Sequence, residues 1–279
     1  MSQNIKQLEA ELGVLLLERT SQGVRPTSFA EKLLPRFLLI AEELNHIDED
    51  IASLKGTHHG SVSLGITSLA ASEVLADCIT QVCTIAPGLK ITVTEARPIA
   101  LLAGLRDGRF DMIFTNSPPG IENYEVVDIG TLPFGVVAAK DHPCQAATSL
   151  EELSGCWWAA ADPIDSPNSA IRQLFESRAL PMPENIVECD SILLTMHLCV
   201  SKNFVSYVSC SAIQSQGATA QLILVDLPGQ HLGQKLLLVY RNKDLLSIGA
   251  RRFANVIERS FKADSSLKAS HLLKSSAND

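Results

Sequence analysis

Bond-making chemistry needs an activated nucleophile, a metal-ligand set or a phosphate cradle, and only two segments of the 279-residue chain come near one. In Ser154-Gly155-Cys156-Trp157 a cysteine precedes an aromatic residue, as it does around some thiol nucleophiles. A catalytic thiolate needs a helix N-terminus or a cation to lower its pKa. Cys156 instead opens the apolar run Cys-Trp-Trp-Ala-Ala-Ala, the pattern of a buried strand, so no catalysis is expected there. His58-His59 offers two imidazoles, but neighbours in an extended linker point opposite ways, and no adjacent Cys or carboxylate completes a set. A solvated pair is expected, with no metal site and no cofactor. The sequence contains no Walker A motif, dinucleotide glycine fingerprint or HExxH, and no enzyme is expected.

The remaining candidates are small polar residues whose meaning depends on the elements that hold them. From residue 60 onward strand-like and helix-like patterns alternate. Strands are expected at Ser61 to Ile66, Leu89 to Glu95 and Asp111 to Phe114, with helices at Ser68 to Ala86 and Ile99 to Asp107 between them. A second set follows, with strands near 134–139, 156–160, 185–188 and 204–208 and helices near 168–178 and 191–201. Strands at 222–225 and 233–240 and a helix from Leu245 to Phe261 close it. The fold class is α/β, as two lobes of parallel sheet flanked by helices. In open α/β sheets ligands bind beyond the carboxyl ends of strands. Three such junctions carry hydroxyl, amide or carboxylate groups: Thr67 and Ser68, then Thr115, Asn116 and Ser117, then Asp190 and Ser191. Each alone reads first as a plain helix cap. Their convergence across two lobes favours a pocket. With Asp190 the only acid among them and helix amides facing inward, a small organic anion is the expected ligand.

Net charge is −8, but residues 1–36 hold five bases and four acids, so the remainder carries −9. An acidic body repels DNA phosphates, which leaves the N-terminal segment as the place for any DNA contact. Hydrophobic residues make up 46% of the chain and charged residues 19%, enough to build cores in about two domains. Seven scattered cysteines read as free thiols in a reducing compartment, and with neither a leader nor a membrane span in the pattern a cytoplasmic location is expected. Residues 2–12 form an amphipathic helix ending at Gly13, followed by a hairpin, or wing, turning at Thr20 to Gly23. Ser28 and Glu31 have capping-box spacing at the start of a helix running to Leu54. Leu33, Phe37, Ile40, Leu44, Ile47, Ile51 and Leu54 follow a heptad seam along it, which calls for a partner helix. Residues beyond 262 lack sustained apolar periodicity and are expected to be a mobile tail.

The run QNIKQLEAELGVLLLERTSQGVRPTSFAEKLLP resembles the DNA-binding segment of LysR-type transcriptional regulators, with Ile5, Leu8, Glu9, Leu12, Gly13, Leu16, Arg19, Gly23 and Thr27 in register. Leu17 stands where the family usually has Phe, and Ala30 where it usually has Gly. The strings GSVSLGIT, LRDGRFDMIF, KDHP and CDSILLTMHLCVSKNFVSYVS resemble its effector-binding domain. The resemblance implies a two-lobed sensor like type 2 periplasmic binding proteins, preceded by part of a winged helix-turn-helix (1–27) and a linker and dimerisation helix (28–55). The sensor would span 60–262, with lobe I at about 60–130 and 228–262, lobe II at about 131–227, and a tail at 263–279. It implies DNA contacts from Ser2, Gln3, Asn4, Lys6, Arg25 and Thr27, and adds Thr131 and Phe134 to the effector cleft. The expected partners are promoter DNA, a small-molecule effector and further copies of the chain, as a homodimer or homotetramer, with no membrane. Family members carry roughly two further dozen residues ahead of the recognition helix, which supply its supporting helices. Without them that helix is expected to fray, and DNA binding by the 279 residues alone to be weak and non-specific. The alternative reading is a DNA-silent small-molecule-binding protein or partner subunit derived from such a regulator.

Overall fold

The computed structural model describes residues 3–21, 23–55, 60–116, 119–166, 169–201, 203–215, 221–228 and 233–263. Ser2, Ser117, the His58-His59 pair and the tail beyond Ala263 lie outside them. The chain starts with α1 (Gln3–Leu12), whose Glu9 is buried and accepts hydrogen bonds from the amides of Leu16 (2.7 Å) and Leu17 (3.0 Å). That clamp orients the hairpin β1 (Leu17–Thr20) and β2 (Gly23–Pro26) against the helix. Next comes α2 (Ser28–Leu54), 27 residues long. Its cap is Thr27 rather than Ser28: the Thr27 hydroxyl accepts from the Ala30 amide while its own proton goes to the Leu15 carbonyl at 2.7 Å. Thr27 thus ties the first turn of α2 to the segment just ahead of β1.

Lobe I follows: β3 (Ser61–Ile66), α3 (Glu73–Ile85), β4 (Lys90–Glu95), α4 (Pro98–Arg106), β5 (Met112–Thr115) and β6 (Glu125–Leu132). Lobe II contains β7 (Phe134–Ala139), β8 (Trp157–Ala160), α5 (Ala170–Glu176), β9 (Ile186–Glu188), α6 (Ile192–Val200), β10 (Phe204–Ser209), α7 (Cys210–Ser215) and β11 (Leu222–Leu224). The chain then returns to lobe I with β12 (Gln234–Tyr240) and α8 (Ile248–Ala263). Strand order is β4-β3-β5-β12-β6 in one sheet and β11-β7-β10-β8-β9 in the other. Both sheets are mixed rather than purely parallel. β12 runs antiparallel to β5 and β6, because the returning chain enters lobe I from the far end, and β7 runs antiparallel to β10 and β11.

Strand alternation sorts side chains to the two faces of each sheet. Met112 and Phe114 face α3 and α8, where Phe114 meets Phe261 edge-on at 4.8 Å, while Ile113 joins Leu101, Leu105 and Phe110 on the α4 side. One apolar cluster continues from lobe I into lobe II through Leu132 and Phe134. Two elements were not expected from the sequence, the edge strand β6, whose outward residues break the alternation, and the short α7. The helix after β3 also starts later than expected. Thr67 is followed by a single tight turn at Ser68–Ala70, and α3 begins at Glu73 because Ser72 caps it, accepting from Leu75 N at 3.4 Å.

Candidate effector cleft and its connections

The carboxyl ends of β3, β4 and β5 carry the lobe I residues expected to line the cleft. Ile66 and Phe114 are register partners, and the Thr67 amide donates to the Phe114 carbonyl at 3.0 Å, so Thr67 lies beside Thr115. Thr67 is 5% exposed, and its hydroxyl has no hydrogen-bond partner among the described residues. Ser68, next along, is exposed. Thr115 is fully buried and donates to Asn116 Oδ1 at 3.4 Å, while Asn116 Nδ2 donates to Gln234 Oε1 at 3.4 Å. These bonds make a polar floor from β3 through β5 to β12. Thr131 lies half-buried on β6, and Phe134 is packed in the core with its ring 5.4 Å from Tyr207.

The lobe II candidates lie at the ends of β8 and β9. Ser191 caps α6, accepting from Leu194 N at 3.3 Å, and Asp190 reaches over to Arg97 of lobe I. The contact is a fork: Arg97 Nε sits 3.1 and 3.0 Å from the two Asp190 oxygens, and Nη2 lies 2.9 Å from Oδ2. Arg97 caps α4 ahead of Pro98, which places the guanidinium at the cleft mouth. Sequence reasoning missed Arg97 because it sought hydroxyl and amide residues at strand ends and passed over the end of β4. Asp190 is also not the sole acid. Glu188 and Asp162 act on the same guanidinium. Asp162 accepts from Ala170 N at 3.1 Å, and burial pushes its carboxyl up to about 6.

Lobe I is tied to α2 as well. One face of that helix carries Leu39, Glu42, Glu43, His46, Glu49 and Asp50. His46 Nε2 is 2.9 Å from Asp111 Oδ1 and 3.5 Å from Glu42 Oε1, an ion-pair contact off the line of the N–H. Asp111 Oδ2 accepts from both the amide (2.7 Å) and the hydroxyl (2.8 Å) of Ser63. The Asp111 contact raises the His46 pKa against the pull of burial. Burial pushes the Asp111 carboxyl up, but His46 and Ser63 together outweigh it and hold the group below its ordinary value. Glu49 accepts from Ser61 N and Oγ, and Asp50 from Ile248 N at the start of α8. Leu39 rests on Gly108, whose φ of +78° suits glycine and where a side chain would press on Leu39. About a third of a turn away around the helix, the expected seam residues Ile40, Leu44, Ile47, Ile51 and Leu54 stand exposed, with Leu33 and Phe37 half-buried.

At the N-terminus Gln3, Asn4 and Lys6 are exposed on α1 and Arg25 on β2. The Thr27 hydroxyl is spent on the wing. Of the chemical candidates, Cys156 is no activated nucleophile: burial and the neighbouring Cys144 thiol push it up to about 12. No helix of the described residues is long and apolar enough to cross a membrane.

The LysR substrate binding domain model matches residues 55–262, and that of the bacterial regulatory helix-turn-helix protein, lysR family, matches residues 1–31. The chain is 24% identical over 220 residues to the HTH-type transcriptional regulator TdcA of Escherichia coli strain K12, covering 78% of this chain and 70% of TdcA. It is 25% identical over 252 residues to the regulator CbbR of Xanthobacter flavus, covering 88% and 74%. A full-length OxyR variant from Pseudomonas aeruginosa shares the fold with a TM-score of 0.69 at 23% identity, over 95% of this chain and 85% of that one. Since the substrate-binding-domain match alone spans well over half of the residues, the protein belongs to the LysR family of transcriptional regulators, a helix-turn-helix segment followed by an effector-binding domain.

Proposed function

We propose that this regulator senses a small carboxylate-bearing effector in the cleft between its lobes and passes the result to DNA through α2. The observation that carries the reading is the Arg97 fork already holding a carboxylate, that of Asp190, at the cleft mouth. A guanidinium matches a carboxylate bidentately, so an effector acid can take the place of Asp190 on Arg97. The unpartnered Thr67 hydroxyl and the exposed Ser68 would then receive the effector's other polar atoms. One structural neighbour, the BenM effector binding domain, is described with its effector benzoate. A second reading is favoured by Asp162 and Glu188, which leave the mouth rich in acid: an effector that also carries an amine.

In this reading the protein acts in the cytoplasm as a binder of DNA and effector and performs no catalysis. α1 and the wing meet DNA through Gln3, Asn4, Lys6 and Arg25, and residues 28–55 join two copies along the seam. Soluble monomers rarely keep such an apolar stripe bare. Replacing Leu44 and Ile47 together with Asp is expected to halve the mass seen in sedimentation equilibrium, and an unchanged mass would assign oligomer contacts elsewhere. The effector reading is tested by a thermal-shift screen of small carboxylic acids, amino acids and sugars against the full chain, with calorimetry on each hit. Acids, with or without an amine, should raise the melting temperature. Hits confined to neutral sugars would reject the role given to Arg97.

A further inference from the structure

We propose that His142, Cys144 and Cys156 form a binding site for a thiophilic divalent metal ion of the zinc class, at the end of lobe II opposite the effector cleft. His142 and Cys144 lie in the loop after β7, and Cys156 immediately precedes β8, so three donors from two loops meet at the amino ends of β8 and β10. One ligand atom from each lies within 4.8 Å of the other two. The Cys156 and Cys144 sulfurs are 3.2 Å apart. His142 is 3% exposed and its ring is held in place: Nδ1 accepts the Cys144 amide at 3.0 Å, and the ring also bonds the backbone of Asn203.

Two sulfurs and an imidazole nitrogen are the donor set of zinc-class ions. Metal–sulfur bonds of about 2.3 Å at tetrahedral angles set sulfurs about 3.7 Å apart, so the pair must open by only about half an ångström. Binding exchanges the two S–H bonds for two metal–sulfur bonds and releases two protons to solvent, with no change of oxidation state. One ring nitrogen of His142 trades its present partner for the ion, while the other keeps the ring aligned. The fourth position faces a cavity of about 600 Å³, walled also by Pro143, Trp157, Val187 and Phe204. Trp157 in that wall is exposed to solvent, which gives the ion an entry path and the fourth position a water. Because every donor belongs to lobe II, the ion clips two loops of one lobe together and leaves the cleft untouched.

The test is equilibrium dialysis of the reduced full chain against Zn(II), paired with Cd(II) titration followed by the thiolate-to-metal charge-transfer band in the ultraviolet. The chain should hold one Zn(II), show the band at one equivalent of Cd(II), and melt at a higher temperature when loaded. Cys144→Ser with Cys156→Ser should remove both the tight equivalent and the band. His142→Gln should keep the band but weaken retention by roughly tenfold or more. Far-ultraviolet circular dichroism of the variants establishes that they fold, and Cys189→Ser, which keeps the three donors, should behave as the parent. The proposal is overturned if the folded double-serine variant retains as much metal as the parent, or if the reduced parent binds none and the two sulfurs merely join as a disulfide in air.

Discussion

The Arg97–Asp190 pair joins the two lobes and the His46–Asp111 pair joins α2 to lobe I, yet the first leaves its side chains 54% and 63% exposed and the second only 7% and 3%. Exposed ion pairs contribute about 0.2–1 kcal/mol, because water and ions compete for both partners. Breaking a buried pair by removing one partner costs about 3–5 kcal/mol, since the other is left charged and dry. The tie between the lobes is therefore one that a competing ligand can displace, whereas the tie between lobe I and α2 is costly to break. In the proposed reading, a ligand that reorients the lobes shifts lobe II against a unit formed by lobe I and α2.

The largest effect is expected at the buried joint. Asp111→Ala strips the partner from His46 and the acceptor from both Ser63 donors, and urea denaturation should register a loss of about 3–5 kcal/mol. A loss under about 1 kcal/mol would erase the contrast between the two pairs. The pH dependence is a sharper probe. His46 titrates above its ordinary 6.5 when folded, so its contribution is complete below 6.5 and fades as pH rises through the raised value. Asp111 titrates below its ordinary 3.8, so its contribution is present above 3.8 and fades as pH falls through the lowered value. The joint is strongest between 3.8 and 6.5. His46→Gln should flatten the decline in stability on the alkaline side. A parent-like slope in that variant would assign the dependence to other groups. The smallest effect on stability belongs to Arg97→Ala, expected at no more than about 1 kcal/mol, although it should weaken a carboxylate effector by roughly tenfold or more.

These differences explain what the sequence discloses and what it hides. The seam of α2 is legible because Leu33 through Leu54 repeat within one helix. The strand from Ser61 to Ile66 is legible because Val62, Leu64 and Ile66 alternate with small residues, and the strand from Phe134 to Ala139 because its run holds no polar side chain. The face of α2 that meets lobe I is not, since Glu42, His46, Glu49 and Asp50 look like an ordinary solvated face until lobe I folds over them. Local spacing also misplaces two caps: Thr27 is favoured over Ser28 by its bond to the Leu15 carbonyl, 12 residues away, while Ser72 makes an ordinary local cap that Ser68, four residues earlier, masks in the sequence. In the cleft, Thr67, Thr115, Asn116 and Asp190 could be named from strand ends. Arg97 could not, because its meaning comes from an acid 93 residues away. The Cys144 and Cys156 thiols, 12 residues apart, follow no close-spaced ligand motif, and only the pairing of β7 and β8 on either side of β10 brings Cys156 to the loop that holds His142 and Cys144.

The central claim is that the effector sits between the lobes at the end of β3. Isothermal titration calorimetry with a screening hit, on the parent, Ser68→Trp and Ser68→Ala, tests it most directly. Ser68 is exposed beside the buried Thr67, and it precedes rather than caps α3, so neither change removes a helix cap. The indole should fill the cleft and abolish measurable binding, and loss of the hydroxyl should weaken it by roughly tenfold, about 1.4 kcal/mol. Parent-like affinity in both variants would contradict the claim and move the effector site away from the end of β3.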